Sequence, residues 1–416
     1  MPKRTRYAPA LAVLIVMLML SACGGDGNKV EVFPFWTGKD AESFDAMVEV
    51  FQEKNPSIQF VNAVTNIGPS VDAHFVLNTL IKAGEPPDSW QGYAGQALID
   101  EYAVNGQIVP LNDLYESEGW LNVLPKNLIP LISRDQNIYF VPVNVHRTNV
   151  LWYNPAVLDA NGISVPTKMN DWFLAMDAIK AAGVTPLAIG DQETKLLLLE
   201  TILLSSLGPK KYNGLWNGSV NWSGEEVKTA LDNYQRLLSY TNSDSDSLSW
   251  QDATELVANG NAAFTVMGDW AHIYFRERGK ALTDDYNWTS VPGTDGVFQF
   301  SSDSFVLADN ALNDDSARTW LKFIGSKEGQ ETFNSSAGSM CARTDCAPAL
   351  FDEYVQVSMS HWSSDVLAGS LTYGVVANNS WRSEIEAALA IFLQDGEMDA
   401  FQSALAAACR KSGPCG

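Results

Sequence analysis

Between Val30 and Ala83 the chain alternates short apolar runs with amphipathic helical patterns, and this order restricts the fold more than any other feature. Val30, Val32, Phe33 and Phe35 predict a strand over residues 30–36. Phe44, Met47, Val48 and Phe51 share one face of a helix over 43–54. Residues 58–64 predict a second strand and 71–83 a second helix, stopped by Gly84 and the pair Pro86-Pro87. Strand, helix, strand, helix in that order predicts an α/β fold with a parallel, doubly wound sheet. Ligands of such sheets sit in the crevice beyond the strand carboxyl ends, which directs attention to the loops 36–40 and 91–96.

A second series follows from about Val150. Helices are predicted over 171–181, 193–207, 225–240, 253–259 and 269–278, with strands over 262–267 and 305–308. Further helices follow over 316–324, 328–334, 380–393 and 400–410. A chain of 416 residues exceeds one ordinary core, so two lobes are expected.

The amino terminus predicts export. Lys3, Arg4 and Arg6 precede an apolar run over 8–20, shorter than the roughly 20 residues that span a bilayer. Leu20-Ser-Ala-Cys23 then offers small residues for cleavage and a thiol for a diacylglycerol anchor. The expected segments are a lipoprotein signal peptide at 1–22 and an anchor linker at 23–28. The protein is expected in the periplasm or on the outer face of the cell membrane. Its formal charge of −22 opposes binding to nucleic acid and to anionic lipid surfaces. In an oxidising compartment Cys341, Cys346, Cys409 and Cys415 are read as disulfide cysteines, with three pairings open. Spacings without a nearby His argue against zinc.

No phosphate-binding loop, GxGxxG, HExxH or GxSxG occurs, so neither cofactor nor catalytic site is expected. Asp244 and Glu255 have the span of a calcium loop, but Ser249 stands where that loop needs Gly, and no metal site is assigned. The chain does carry 13 tryptophans, several in predicted loops beside single carboxylates and amides. Sugars present apolar C–H faces to aromatic rings and hydroxyl edges to paired donors and acceptors. Any single tryptophan is more readily core packing, so the arrangement decides.

The arrangement is familiar. Val32-Phe-Pro-Phe-Trp36-Thr-Gly, Pro86-Pro-Asp-Ser-Trp-Gln91-Gly-Tyr93 and Pro142-Val-Asn-Val-His146-Arg147 occur in order. Leu248-Ser-Trp250, Met267-Gly-Asp269-Trp270, Asp303-Ser-Phe305 and Gly369-Ser-Leu-Thr-Tyr373-Gly follow. In these motifs the chain resembles the extracellular solute-binding proteins of carbohydrate ABC importers, glucose/mannose-binding branch. The resemblance implies the two-lobe periplasmic-binding-protein fold, with doubly wound sheets joined by a hinge. Lobe one is placed at 29–143 plus 302–345 and lobe two at 148–300 plus 346–416.

It also implies a sugar site. Trp36 and Gln91 contact sugar from lobe one, while Trp250, Asp269 and Trp270 close from lobe two. Asp303 accepts hydroxyl bonds near the hinge, and His146 either does the same or orders the crossing. Phe35, Tyr93 and Tyr373 line the same site but depart from the branch, which has tryptophan at the first position and histidine at the other two. Ala337 replaces a common lysine, and Glu193 lies near a usual pocket tryptophan. These departures change the hydrogen bonding on offer, so a neutral sugar is expected without fixing which. The resemblance implies a monomer, not an enzyme, that docks on a membrane permease complex. The rival readings are a sugar receptor for a chemotaxis or sensor-kinase partner and a secreted carbohydrate-active enzyme with two cleft carboxylates.

Overall fold

The computed structural model describes residues 28–65 and 72–415. The predicted signal peptide, Cys23 and Val71 lie outside the described residues. The described residues form two lobes, built from three larger sheets.

The first lobe's sheet has the order Gln59–Asn62, Lys29–Phe33, Ser89–Tyr93, Asp303–Leu307, Phe140–Pro142. Its first three strands are parallel, as the alternation predicts, and Asp303–Leu307 runs antiparallel to both its neighbours because the chain re-enters there from the other lobe. The first strand stops at Phe33, three residues short of its predicted end. Pro34 follows and has no N–H for the ladder, so Phe35 and Trp36 leave the sheet as a loop. The helix Ala73–Ala83 begins at Asp72, whose carboxylate accepts the His74 N–H at 2.9 Å, and ends at Gly84, which takes the left-handed conformation with φ 78°.

The second lobe's sheet has the order Asn287–Ser290, Val150–Tyr153, Ala262–Val266, Thr185–Ala188, and it too is mixed. The third sheet joins the lobes, in the order Met340–Cys341, Asn144–Arg147, Val297–Ser301, Val366–Gly369. Two strands change sheet in mid-course. Phe140–Pro142 continues past Val143 into Asn144–Arg147, and Val297–Ser301 continues past Ser302 into Asp303–Leu307. The crossings are tied together by Val143 N–H to the Asp303 carbonyl at 2.8 Å and by Ser302 Oγ to the Asn144 carbonyl at 2.6 Å. Arg147, fully buried at the far side, donates to Asn149 Oδ1, Ser290 Oγ and the Val297 carbonyl at 3.0–3.2 Å.

The buried apolar residues form two clusters, the first running from lobe one into the adjoining part of lobe two and the second lying in lobe two. Phe33, Phe44, Trp90, Phe305 and Trp320 belong to one, Trp172, Leu203, Trp222, Tyr234 and Phe392 to the other. Trp90, Trp152 and Trp216 are therefore packing residues, the bland alternative for any tryptophan. The cysteines take the local pairing, Cys341 with Cys346 and Cys409 with Cys415. The long helix Gln192–Trp216 is broken at Gly208, before Pro209. In the would-be calcium loop, Asp246 pairs with Lys195, and Ser249 with Asp252 forms a capping box for the helix Trp250–Ala258. No described helix is long and apolar enough to cross a membrane.

Candidate functional site

Asp303 is the first residue past the second crossing, and its carboxylate gathers donors from three separate segments. Oδ1 accepts from Gln91 Nε2 at 3.0 Å. Oδ2 accepts from Asn144 Nδ2 at 2.7 Å and from Trp36 Nε1 at 3.4 Å. Asn144 returns the bond, its Oδ1 accepting the Asp303 N–H at 2.8 Å. Gln91 is in turn held by the Phe35 N–H, which donates to Oε1 at 2.6 Å. Gln91 lies inside a strand rather than in the loop the sequence suggested, and the register pairs it with Phe305 and pairs Tyr93 with Asp303.

His146 links this group to lobe two. Its Nδ1 lies 2.7 Å from Asp269 Oδ1, and its Nε2 lies 3.2 Å from Asn144 Nδ2 and 3.7 Å from Asp303 Oδ2. Asp269 Oδ2 also accepts the Arg147 N–H at 3.0 Å. Both imidazole nitrogens thus face polar partners at the crossing. Burial disfavours the imidazolium, but Asp269 and Asp303 outweigh it and hold the His146 pKa well above the usual histidine range. Burial likewise opposes the Asp303 carboxylate, and the His146 charge with the Asn144 and Gln91 bonds holds its pKa below the usual range.

The aromatic residues form two groups around this polar line. On lobe one, Trp36 is half-buried and stacks on Phe333 at 4.4 Å, and Phe35 stacks on His74 at 3.9 Å. From His146 a row of edge contacts runs through Trp270 at 5.7 Å and Tyr373 at 5.2 Å to Tyr93 at 5.6 Å. Trp250 joins Trp270 at 6.5 Å. The Tyr93–Tyr373 contact crosses between the lobes. Nearby, the Gln96 and Ala97 N–H groups donate to the Val375 and Gly374 carbonyls at 3.1 and 3.0 Å, and Asn379 donates to Glu101 at 2.9 Å. A side chain at Gly95 would sit 2.3 Å from the Val375 Cα, so this approach requires glycine.

A cavity of about 380 Å³ opens here, with Phe35, Gln91, Tyr93, Asp303 and Tyr373 among its walls. Trp36, His146, Trp250, Asp269 and Trp270 do not face this cavity; they adjoin it through Asp303 and Tyr373. The structure adds residues that the sequence did not single out. Asn144 joins Asp303 to His146 and stands inside the His146 motif itself. Asp40 lies in the first turn of the helix Gly38–Lys54, directly after the aromatic loop. Burial pushes its carboxyl up to about 6, with His146 pulling it down and Asp303 and Glu277 adding to the rise. Arg382 and Asn379 come from a helix at 379–395 that no local signal connects to the site. Among the described residues no cluster of three or more metal-ligating side chains occurs.

Residues 36–331 match the model for the bacterial extracellular solute-binding protein. The chain is 32% identical over 369 residues to an uncharacterized ABC transporter extracellular-binding protein of Pyrococcus horikoshii, covering 84% of this chain and 82% of that one. It is 28% identical over 382 residues to a probable sugar-binding periplasmic protein of Brucella suis, covering 89% of each. A solved bacterial solute receptor with a stated exclusive preference for β-D-galactopyranose superposes with a TM-score of 0.77 at 17% identity, covering 91% of this chain and 97% of that one. That last likeness concerns the fold. With the two lobes, the crossing strands and the polar cleft in place, the chain belongs to the bacterial extracellular solute-binding protein family.

Proposed function

We propose that this protein captures a neutral sugar between its lobes and delivers it to the permease of an ABC importer, without catalysing a reaction. The observation that carries this reading is the Asp303 carboxylate, held at the hinge by Trp36 and Gln91 of lobe one and by Asn144 of the crossing strand, with the rings of Tyr93 and Tyr373 on the same cavity. A carboxylate accepts hydroxyl hydrogens, and ring faces take the apolar side of a pyranose. The overall negative charge disfavours an anionic cargo. The sugar-binding relative supports the same class.

In this reading residues 29–143 with 302–345 and residues 148–300 with 346–416 move as two bodies about the crossings at Val143 and Ser302. Sugar contacts available only when the bodies are together bias the hinge toward closure. Cys23 carries the lipid that keeps the protein at the membrane. Its motifs resemble those of the glucose/mannose-binding branch, while Phe35, Tyr93 and Tyr373 shift the hydroxyl pattern it prefers. A thermal-shift screen of neutral mono- and disaccharides tests the proposal. A binder at a hundredfold excess over its dissociation constant stabilises the fold by about 2.7 kcal/mol. A melting point unmoved by every sugar contradicts it.

A further inference from the structure

The cavity beside Asp303 does not end at the tyrosine pair. A second cavity, of about 420 Å³, lies on the other side and shares Tyr93, Tyr373 and Arg382 with the first. Its outer walls are Gln192, Glu193, Leu196, Thr372 and Glu386. A single hexose occupies on the order of 200 Å³ at crystal packing density, so either compartment exceeds one ring.

Given the sugar-binding reading, we propose that the second compartment is a subsite for another sugar unit, making the preferred ligand a neutral disaccharide or longer oligosaccharide. Tyr93 is 45% exposed where the compartments meet, so its ring has a free face. Tyr373 is fixed in orientation, its hydroxyl donating to Glu193 Oε1 at 3.1 Å while its ring leans on Trp270. Arg382 stands in both walls. Its Nη1 donates to the Thr372 carbonyl at 3.1 Å, and its Nε is ion-paired with Glu386 Oε1 at 3.5 Å. The guanidinium is thus anchored by Thr372 and Glu386 on the wall that both compartments share, where it offers positive charge to a ring or hydroxyl oxygen arriving between the tyrosines. Gln192, Glu193 and Glu386 supply acceptors and an amide for the hydroxyls of a second ring. Two carboxylates against one guanidinium leave this compartment negative, which selects an uncharged unit over a uronic acid or sugar phosphate.

The test is isothermal titration of the protein with matched pairs: glucose and maltose, glucose and cellobiose, galactose and lactose, xylose and xylobiose, mannose and mannobiose. The proposal expects at least one disaccharide to bind tenfold or more tighter than its monosaccharide. Gln192→Trp and Glu193→Trp, which fill the compartment from its exposed rim, should each reduce that ratio below about threefold. Monosaccharides that bind while every disaccharide binds equally or more weakly overturn the subsite and leave the sugar reading standing. A preference that both tryptophan variants retain also overturns it. No binding by any sugar sinks both.

Discussion

Asn144 Nδ2 donates to Asp303 Oδ2 at 2.7 Å, and Asn144 Oδ1 accepts the Asp303 N–H at 2.8 Å, so one amide clasps the two crossing strands where they change sheet. The pair is buried and places the proposed ligand carboxylate on the hinge itself. Movement of the hinge and orientation of that carboxylate are therefore coupled.

Asp303→Ala leaves Gln91, Asn144 and His146 with buried donors and no acceptor. Chemical unfolding should show a loss of about 3 kcal/mol, and titration should show sugar binding abolished. In a double-mutant cycle with Asn144→Ala, the coupling should be about 2 kcal/mol, the range for hydrogen bonds to charged groups. Additive losses would mean the clasp carries no energy.

Glu200 gives a pH signature. It is fully buried in lobe two, and accepts from Ser370 Oγ at 2.8 Å and from the Leu371 and Thr372 N–H groups at 2.5 and 2.8 Å. Burial pushes its carboxyl up to about 7 from an ordinary 4.5, against the pull of those bonds. With the folded value raised, its contribution to stability is full below about pH 4.5 and is lost as pH rises through about 7. The gap corresponds to about 3 kcal/mol. Unfolding free energies of wild type minus Glu200→Gln should fall by about that amount between pH 4.5 and 8.5; a flat difference would contradict it.

Trp36→Ala removes the ring beside Asp303 and its Nε1 donor, and should weaken the best sugar at least tenfold, about 1.4 kcal/mol. Tyr373→Phe keeps the ring and removes the hydroxyl that meets Glu193. A smaller loss, under about fivefold (~1 kcal/mol), is expected, because the ring stacking survives. Calorimetric titration separates the two.

Much of this site was legible because its residues stand in short ordered motifs. Phe35, Gln91, Tyr93, Asp303 and Tyr373 come from four distant segments, and the structure gathers them round one cavity. His146 stands in the most specific motif, but the sequence leaves open whether it meets ligand or orders the crossing, and its ring lies between Asp269 and Asp303 rather than on the cavity wall. Arg382 was not legible at all: it sits on an ordinary amphipathic helix, and only the approach of the lobes at Gly95 brings it to the cleft. The parallel part of the first sheet followed from alternation, while the antiparallel strands did not. A buried run such as Val150–Tyr153 reads alike for either direction, and its partners are set by where the chain returns.

Removing the carboxyl-terminal staple by Cys409→Ser should cost about 2 kcal/mol, the loop-closure value for so short a ring. Sugar affinity should hold, because no residue of the helix Met398–Ser412 lines either cavity. Equilibrium unfolding and titration of the same sample check both halves.

The most direct measurement is a crystal structure with the tightest-binding sugar. The account predicts a pyranose between the lobes, with a hydroxyl within hydrogen-bond reach of Asp303 and a ring face against Trp36, Tyr93 or Tyr373. A sugar seated outside the cleft, or in it without touching Asp303, would contradict the account.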